Sequence, residues 1–421
     1  MDYKLIKQEL GKCNKCGFCQ EVCPTFKVDG REGTVARGRI WLVKGLEQGK
    51  FAWGRDKSVN EYIGNCLLCR ACVSNCPASV ETDKIMMYAR SQAGAQVGFP
   101  LYYRLAYRAG LSNKRNLKVG TKVMRFYQKS GIKWLVNKSG VLNLMGQLKG
   151  MEERMPVIPP KSFRDMLYEL VHDLPQPRYK VGVFVGCATN HFFSQVAASA
   201  VRVLQKLNIG IVVPEVQCCG GPHQSAGDFE EAKRLAKLNI DYFLNQEIKY
   251  VTTDCATCGS ALLEYGELLA GDPDYAEKAR LFSSMVIDLN KLLVSEQKTW
   301  EAMPLKQVNC RVTYHEPCHL VRGQKITEEP RTVITSVPGV ELVEMKDSNR
   351  CCGGAGAYEF FHQNLSGKIL AQKIQNIKDT KADTVVTCCP ACMMQISYGL
   401  RKENLPLQVM HPVQLLEKAL S

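Results

Sequence analysis

Residues 66–77 read CLLCRACVSNCP, and residues 13–24 read CNKCGFCQEVCP. Both have the form C-x2-C-x2-C-x3-C-P, which decides what the first part of the chain builds. Two-residue gaps let a tight loop wrap three thiolates around one face of an iron-sulfur cubane, while the fourth cysteine points away and ligates the other cluster. The spacing assigns Cys13, Cys16, Cys19 and Cys76 to one [4Fe-4S] cluster, and Cys66, Cys69, Cys72 and Cys23 to a second. A pair of zinc knuckles is the competing reading. Zinc sites use two CxxC pairs rather than three thiols at this pitch, so the spacing counts against it.

Around these motifs lies a chain of 421 residues, 45% hydrophobic and 23% charged, long enough for several cores. Its twenty cysteines need a reducing compartment if they are to remain thiols. The opening MDYKLIKQEL is charged and lacks the apolar stretch of a secretory leader, and no run of residues is apolar enough to span a bilayer. The expectation is a cytoplasmic protein whose cysteines mostly ligate metal rather than form disulfides. The net charge of +14 is concentrated: residues 101–150 hold eleven Lys or Arg and no Asp or Glu.

Beyond the motifs, LYYRLAYRAGL and VMRFYQKSGIKWLV space apolar residues as amphipathic helices do. Pro156, Pro159, Pro160, Pro175 and Pro177 then interrupt the pattern as a linker does. From Tyr179 the texture becomes short β-branched runs alternating with helical stretches: KVGVFVGC, IGIVVPEV and YVTTDC, then RVTYHEPC, VELVEMK and TVVTCCPAC. This predicts parallel sheets flanked by helices. The second series duplicates the first, with Cys187, Cys218 and Cys258 matched by Cys318, Cys351 and Cys392 at offsets of 131, 133 and 134 residues. Four units follow: a 2[4Fe-4S] domain (1–95), a basic helical connector (96–178) and two cysteine-rich domains (179–300 and 301–421).

Each repeat offers five thiols, Cys187, Cys218, Cys219, Cys255 and Cys258 in the first, and Cys318, Cys351, Cys352, Cys389 and Cys392 in the second. All lie at or just beyond the C-terminal ends of predicted strands, where open α/β sheets build their sites. Glycines after each cysteine pair allow a tight turn, so that adjacent thiols can face one metal centre. A phosphate-binding reading of CCGGAG fails on its cysteine context.

The CCGG element with its flanking single Cys and CxxC resembles the cysteine-rich CCG domain of heterodisulfide reductases and glycolate oxidase iron-sulfur subunits. Over nearly the whole chain, CGFCQEVCPTF, RGRIWLVK, CLLCRACVSNCPASV, LLEYGELL, YHEPCHL and CCGGAGAY resemble the glycolate oxidase iron-sulfur subunit family. That resemblance implies an α+β chain with an α-helical ferredoxin-like domain and two Rossmann-like CCG domains in a pseudo-twofold pair. It also implies the electron-transfer subunit of a glycolate or lactate dehydrogenase, an oxidoreductase whose FAD sits on a partner subunit and whose acceptor is a quinone or another carrier. Cys255 and Cys389 depart from that family's usual pattern, since they complete both five-thiol sets in the heterodisulfide reductase manner. Complete sets imply one or two further [4Fe-4S] clusters of noncubane type, with zinc as the alternative in the first repeat, and a disulfide reductase as the alternative function.

His315, Glu316 and His319 spell HExxH, but Pro317 and the preceding strand-like RVTY exclude the helix that a zinc protease needs. His315 and His319 are left as hydrogen-bond donors to cluster sulfur or as structural histidines, and His191 and His223 likewise. Cys310 and Cys388 are surplus thiols, Cys388 a substitute ligand for Cys389. The basic connector reads as a solvated face, as a dock for anionic lipid on the cytoplasmic side of a membrane, or as a dock for an acidic partner subunit. No nucleic-acid-binding fold accompanies it, and no flavin or nicotinamide fingerprint appears.

Overall fold

The computed structural model describes residues 3–140, 146–216 and 218–421. At the N-terminal end, helices Tyr3–Lys12, Ala36–Glu47, Lys57–Gly64 and Thr82–Val97 pack around Ile6, Leu10, Ile40, Val43, Leu46, Val59, Ile63, Ile85 and Met86. Local chemistry sets their ends. Asp56 caps Lys57–Gly64 by accepting from the Val59 N–H, and Gly98 at φ 78° stops Thr82–Val97. Pro24 opens helix Pro24–Asp29, where its missing N–H costs nothing.

The two connector stretches expected to be helical are so, with one difference. Leu101–Tyr103 runs into a π-helical segment, Arg104–Leu111, before helices Lys114–Lys129 and Ile132–Lys138. Its rings explain the anchoring: Phe99, Tyr103 and Tyr107 stack at 4.8 and 4.7 Å between centroids. The Tyr103 hydroxyl donates to Asp228 at 2.9 Å, and Arg108 grips the same carboxylate at 2.7 and 3.0 Å. The proline-rich stretch also does more than link, because Phe163 is fully buried in the core of the cysteine-rich part and donates its N–H to Asn190 at 2.9 Å.

Strands β1 (Lys180–Val183), β2 (Gly210–Val212), β3 (Tyr250–Thr253) and β4 (Val286–Asp288) form one parallel sheet in the order β2-β1-β3-β4. Strands β5 (Cys310–Tyr314), β6 (Val340–Leu342), β7 (Thr384–Val386) and β8 (Gln408–Met410) repeat it as β6-β5-β7-β8. The chain is therefore α+β, with a helical cluster domain and two parallel-sheet domains. The central strands are apolar runs because helices cover both faces. The halves are related by a pseudo-twofold axis: helix Ser194–Lys206 packs on Pro412–Leu420, and the equivalent Glu329–Thr335 packs on Leu289–Ser295. A single apolar core runs through both sheets.

Asp288 lies at this seam, where burial pushes its carboxyl up to about 6 despite the hydrogen bonds from Asn290. The folded state thus holds a proton that the unfolded chain releases above its ordinary value near 4. Stability from this group is greatest at acid pH and declines as pH rises through about 6. Asp288→Asn, which keeps a capping side chain, is expected to raise stability at pH 8 by about 1–2 kcal/mol and to change little at pH 5. Urea melts at the two pH values check this.

Candidate metal centres

Each N-terminal motif loop turns through the same two left-handed positions, Lys15 and Gly17 in the first copy and Leu68 and Arg70 in the second. Three of the four are not glycine, a strain of about 1 kcal/mol or more apiece that the surrounding fold holds in place. The twist wraps the thiols inward. One cavity is lined by Cys13, Cys16, Cys19 and Cys76, with Ile40 and Val80. Another is lined by Cys66, Cys69, Cys72 and Cys23, with Thr25 and Arg39. The fourth cysteine of each motif thus sits with the three of the other, the exchange expected from spacing, while Cys72 also borders the first cavity. An all-thiol donor set of four around each cavity fits a [4Fe-4S] cluster. Burial pushes the Cys72 thiol well up, so loading with iron must displace protons. The Val80 N–H already points at Cys76 Sγ, at 3.4 Å.

In the sheet domains the parallel strands bring their C-terminal ends together, and the thiols follow. Cys187 opens the helix after β1, and Cys255, two residues beyond the end of β3, caps the helix that follows it. Gly220 and Gly353, at φ 78° and 88°, turn the chain after each cysteine pair against the backbone of Ala232 and Ser366, and a Cβ on Gly186 would come within 2.9 Å of Cys258 Sγ.

The ten thiols form one string. Cys187 faces Cys218, then come Cys219, Cys258 and Cys255. Cys255 faces Cys389 across the pseudo-twofold axis, and Cys392, Cys352, Cys351 and Cys318 follow in mirrored order. Cys352 and Cys392 stand 3.5 Å apart. Cys389 rather than Cys388 lies in the string, with Thr257 Oγ1 at 3.3 Å. Cys388 turns toward Asn290 and Tyr314 instead, and Cys310 is far down strand β5.

Two junctions carry no signal in the sequence. Cys69 of the second N-terminal loop is buried against Cys351, with Leu67, Ala71, Tyr358 and Ile369 around it. Arg70, in the same loop, pairs with Asp83 at 2.8 Å and with Glu264 of the first sheet domain. Arg90 ties the loop further, donating to the Cys66 and Ser225 carbonyls at 2.6 and 2.7 Å. Only the unusual left-handed conformation at Arg70 marks the site, and that is invisible before folding.

His191 and His223 are satisfied structural groups, held by Thr121 and Asn190 and by Tyr103 and Ser112 respectively. His319 reaches Cys318 Sγ at 3.5 Å. The HExxH run leaves β5 as a loop and enters a short π-helical turn, His319–Gln324, which removes the protease geometry.

Three family models match parts of the chain. A 4Fe-4S dicluster domain matches residues 9–80, a cysteine-rich domain matches 181–263 and 312–397, and the linker region of a glycolate oxidase iron-sulfur subunit matches 100–155. A probable glycolate oxidase iron-sulfur subunit of Bacillus subtilis is 31% identical over 425 residues, covering 99% of this chain and 95% of that one. Lactate utilization protein A 2 of Bacillus cereus is 30% identical over 246 residues, 58% of this chain and 99% of its own length. A crystal structure of a hypothetical protein from Helicobacter pylori, 10% identical, shares the fold across 100% of this chain and 73% of its own, at a TM-score of 0.56.

A 4Fe-4S dicluster domain joined to two thiol-lined parallel-sheet domains defines an iron-sulfur protein. Within that class, the chain belongs to the glycolate oxidase iron-sulfur subunit family.

Proposed function

We propose that this chain is the iron-sulfur electron-transfer subunit of a flavin-dependent 2-hydroxyacid dehydrogenase acting on glycolate or lactate. Oxidation of the substrate takes place on a partner subunit's FAD, and a quinone or similar carrier takes the electrons. The observation that carries the reading is the burial of Cys69 in one cluster with Cys351, close enough to interact electrostatically, which sets the N-terminal thiol cavities beside the thiol string. The ligand sets are Cys13, Cys16, Cys19 and Cys76, then Cys66, Cys69, Cys72 and Cys23, then the five thiols of each sheet domain. Noncubane [4Fe-4S] centres suit the two five-thiol sets, with zinc the alternative at Cys187, Cys218, Cys219, Cys255 and Cys258. Bound clusters supply one-electron steps, and the protein supplies their spacing and a dry path.

Co-expression with an FAD-binding oxidase subunit tests the proposal. Adding glycolate or lactate to the anaerobic complex is expected to bleach the visible absorbance of this chain, and not to do so without the flavoprotein. No bleaching with either acid in a complex whose flavin does become reduced would refute it. A second reading, cleavage of a disulfide, draws on the direct facing of Cys255 and Cys389, which gives two complete centres a common wall. Reoxidation of the reduced chain by a small disulfide would favour it.

The connector suits peripheral docking on the anionic cytoplasmic face of a membrane. Val119, Val123 and Phe126 are 55%, 62% and 66% exposed in one stripe of helix Lys114–Lys129, and Trp134 and Leu135 are 60% and 58% exposed on the next helix. Exposed Arg115, Lys122 and Lys129 flank the stripe. Cations beside a bare apolar stripe match an anionic headgroup layer. Binding to vesicles rich in phosphatidylglycerol is expected to weaken with salt and to lose about 1 kcal/mol for each of these cations neutralised. Equal binding to neutral vesicles would reject this role.

A further inference from the structure

The pseudo-twofold pairs each residue of one thiol site with a partner in the other, and two pairs do not match. The Phe184 N–H donates to the Thr252 carbonyl at 2.8 Å, and the His315 N–H donates to the Val386 carbonyl at 2.9 Å. Phe184 and His315 are thus the same position, three residues ahead of Cys187 and Cys318. Seven residues beyond the matched contacts at Ala232 and Ser366 stand Asn239 and Lys373. Asn239 donates to the Cys218 carbonyl at 3.0 Å, whereas Lys373 holds the Asp347 and Ser348 carbonyls at 2.6 and 3.2 Å. The first site therefore has a phenyl ring and an amide where the second has an imidazole and an ammonium.

His315 has no exposed surface, and neither ring nitrogen makes a hydrogen bond of good geometry, the Ser348 carbonyl being the one backbone acceptor that approaches the ring. The Ser348 carbonyl beside the ring is already taken by the Glu316 N–H at 3.1 Å and by Lys373. A buried imidazole left unpaired is destabilising, so the ring has room for a further partner. One is at hand: a ring nitrogen, Cys352 Sγ and Cys392 Sγ all lie within 4.8 Å of one another. Imidazole nitrogen together with thiolate is a donor set that iron and zinc both accept.

We propose that His315 supplies a nitrogen ligand to the metal centre of the second sheet domain, and that the first, with Phe184 in its place, is ligated by thiolates alone. The assignment rests on the reading that the second five-thiol set holds an iron-sulfur centre. It makes the two repeats different chemical sites. His319, near Cys318, is the built-in control.

The test uses the full chain reconstituted anaerobically with iron and sulfide, once with ordinary and once with isotope-labelled histidine. Pulsed EPR of the reduced protein is expected to show one strongly coupled histidine nitrogen that vanishes in His315→Phe and persists in His319→Phe. Mössbauer spectra, which do not depend on a paramagnetic state, are expected to lose one nitrogen-ligated iron site in His315→Phe. Phenylalanine already fits the matching position in the first half, and His315→Gln guards against a packing effect. A second-domain centre whose spectra are the same in wild type and His315→Phe, or one with only weak nitrogen coupling from a hydrogen bond to sulfur, overturns the ligand alone. Iron no greater than the two N-terminal clusters require overturns the centre and the ligand together.

Discussion

Removing iron from the loaded protein is expected to unfold residues 3–95 and leave both parallel sheets standing. The N-terminal domain has a small core, fourteen buried apolar residues around its cavities, and its two motif loops are held in left-handed turns at Lys15, Leu68 and Arg70. Bound clusters would add to the contacts that hold those turns, and with the ligand sets proposed above each would cross-link both motifs through Cys76 or Cys23. Structural metals hold small domains with free energies on the order of 10 kcal/mol, which exceeds what so few apolar contacts leave over. The sheet domains are differently placed, because their shared core includes many residues with no exposed surface, among them Phe184, Phe243, Trp300 and Ile396. Hydrogen exchange on chelated protein should therefore show rapid exchange in helices Tyr3–Lys12, Ala36–Glu47 and Thr82–Val97, and continued protection in β1, β3, β5 and β7. Protection retained throughout would show that the helices stand without metal.

Arg70→Ala is expected to loosen the joint between the cluster domain and the first sheet domain by about 3 kcal/mol, the lower range for breaking a buried ion pair. Arg70 is 17% exposed and meets Asp83, Glu264 and Ser260 at once, so its loss strands Asp83, whose side chain is 8% exposed. Arg70 also has φ 59°, where alanine is strained and glycine is not. Comparing Arg70→Ala with Arg70→Gly separates the two effects, and both should lower the urea midpoint. Because Arg70 is no ligand, iron content should stay near that of the wild type. A midpoint unchanged in both variants would remove the clamp from the account of how the domains are held.

The thiol pitch and the alternation of β-branched runs with helical stretches were enough to read the two cluster loops, the parallel strands and the duplication. Those features are local, and spacing encodes them. What spacing does not encode is which loops meet. The burial of Cys69 against Cys351, the facing of Cys255 and Cys389 and the clamp at Arg70 join residues more than a hundred positions apart, through docking of whole domains. MVIDLNKLL and VMHPVQLLEKAL show that the two halves close alike, but strands β4 and β8 within them are not legible, because three residues followed at once by a capped helix carry little pattern of their own. The proline-rich stretch misled in a similar way, since its composition speaks of breaks while one phenylalanine, Phe163, fixes it to the neighbouring core. Pro317 alone rules out the HExxH helix, yet the state of the His315 ring depends on the groups packed around it, which no local spacing encodes.

The core common to both sheets limits how the chain can be cut or rearranged. A fragment ending near residue 300 would bare the sides of Ser194–Lys206 and Leu289–Ser295 that Pro412–Leu420 and Glu329–Thr335 cover in the full protein. Its best remaining mate is another molecule of the same fragment, turned about the same axis. The ancestral unit before duplication is thereby pictured as a homodimer, and fusion of its genes freed one copy to drift apart from the other.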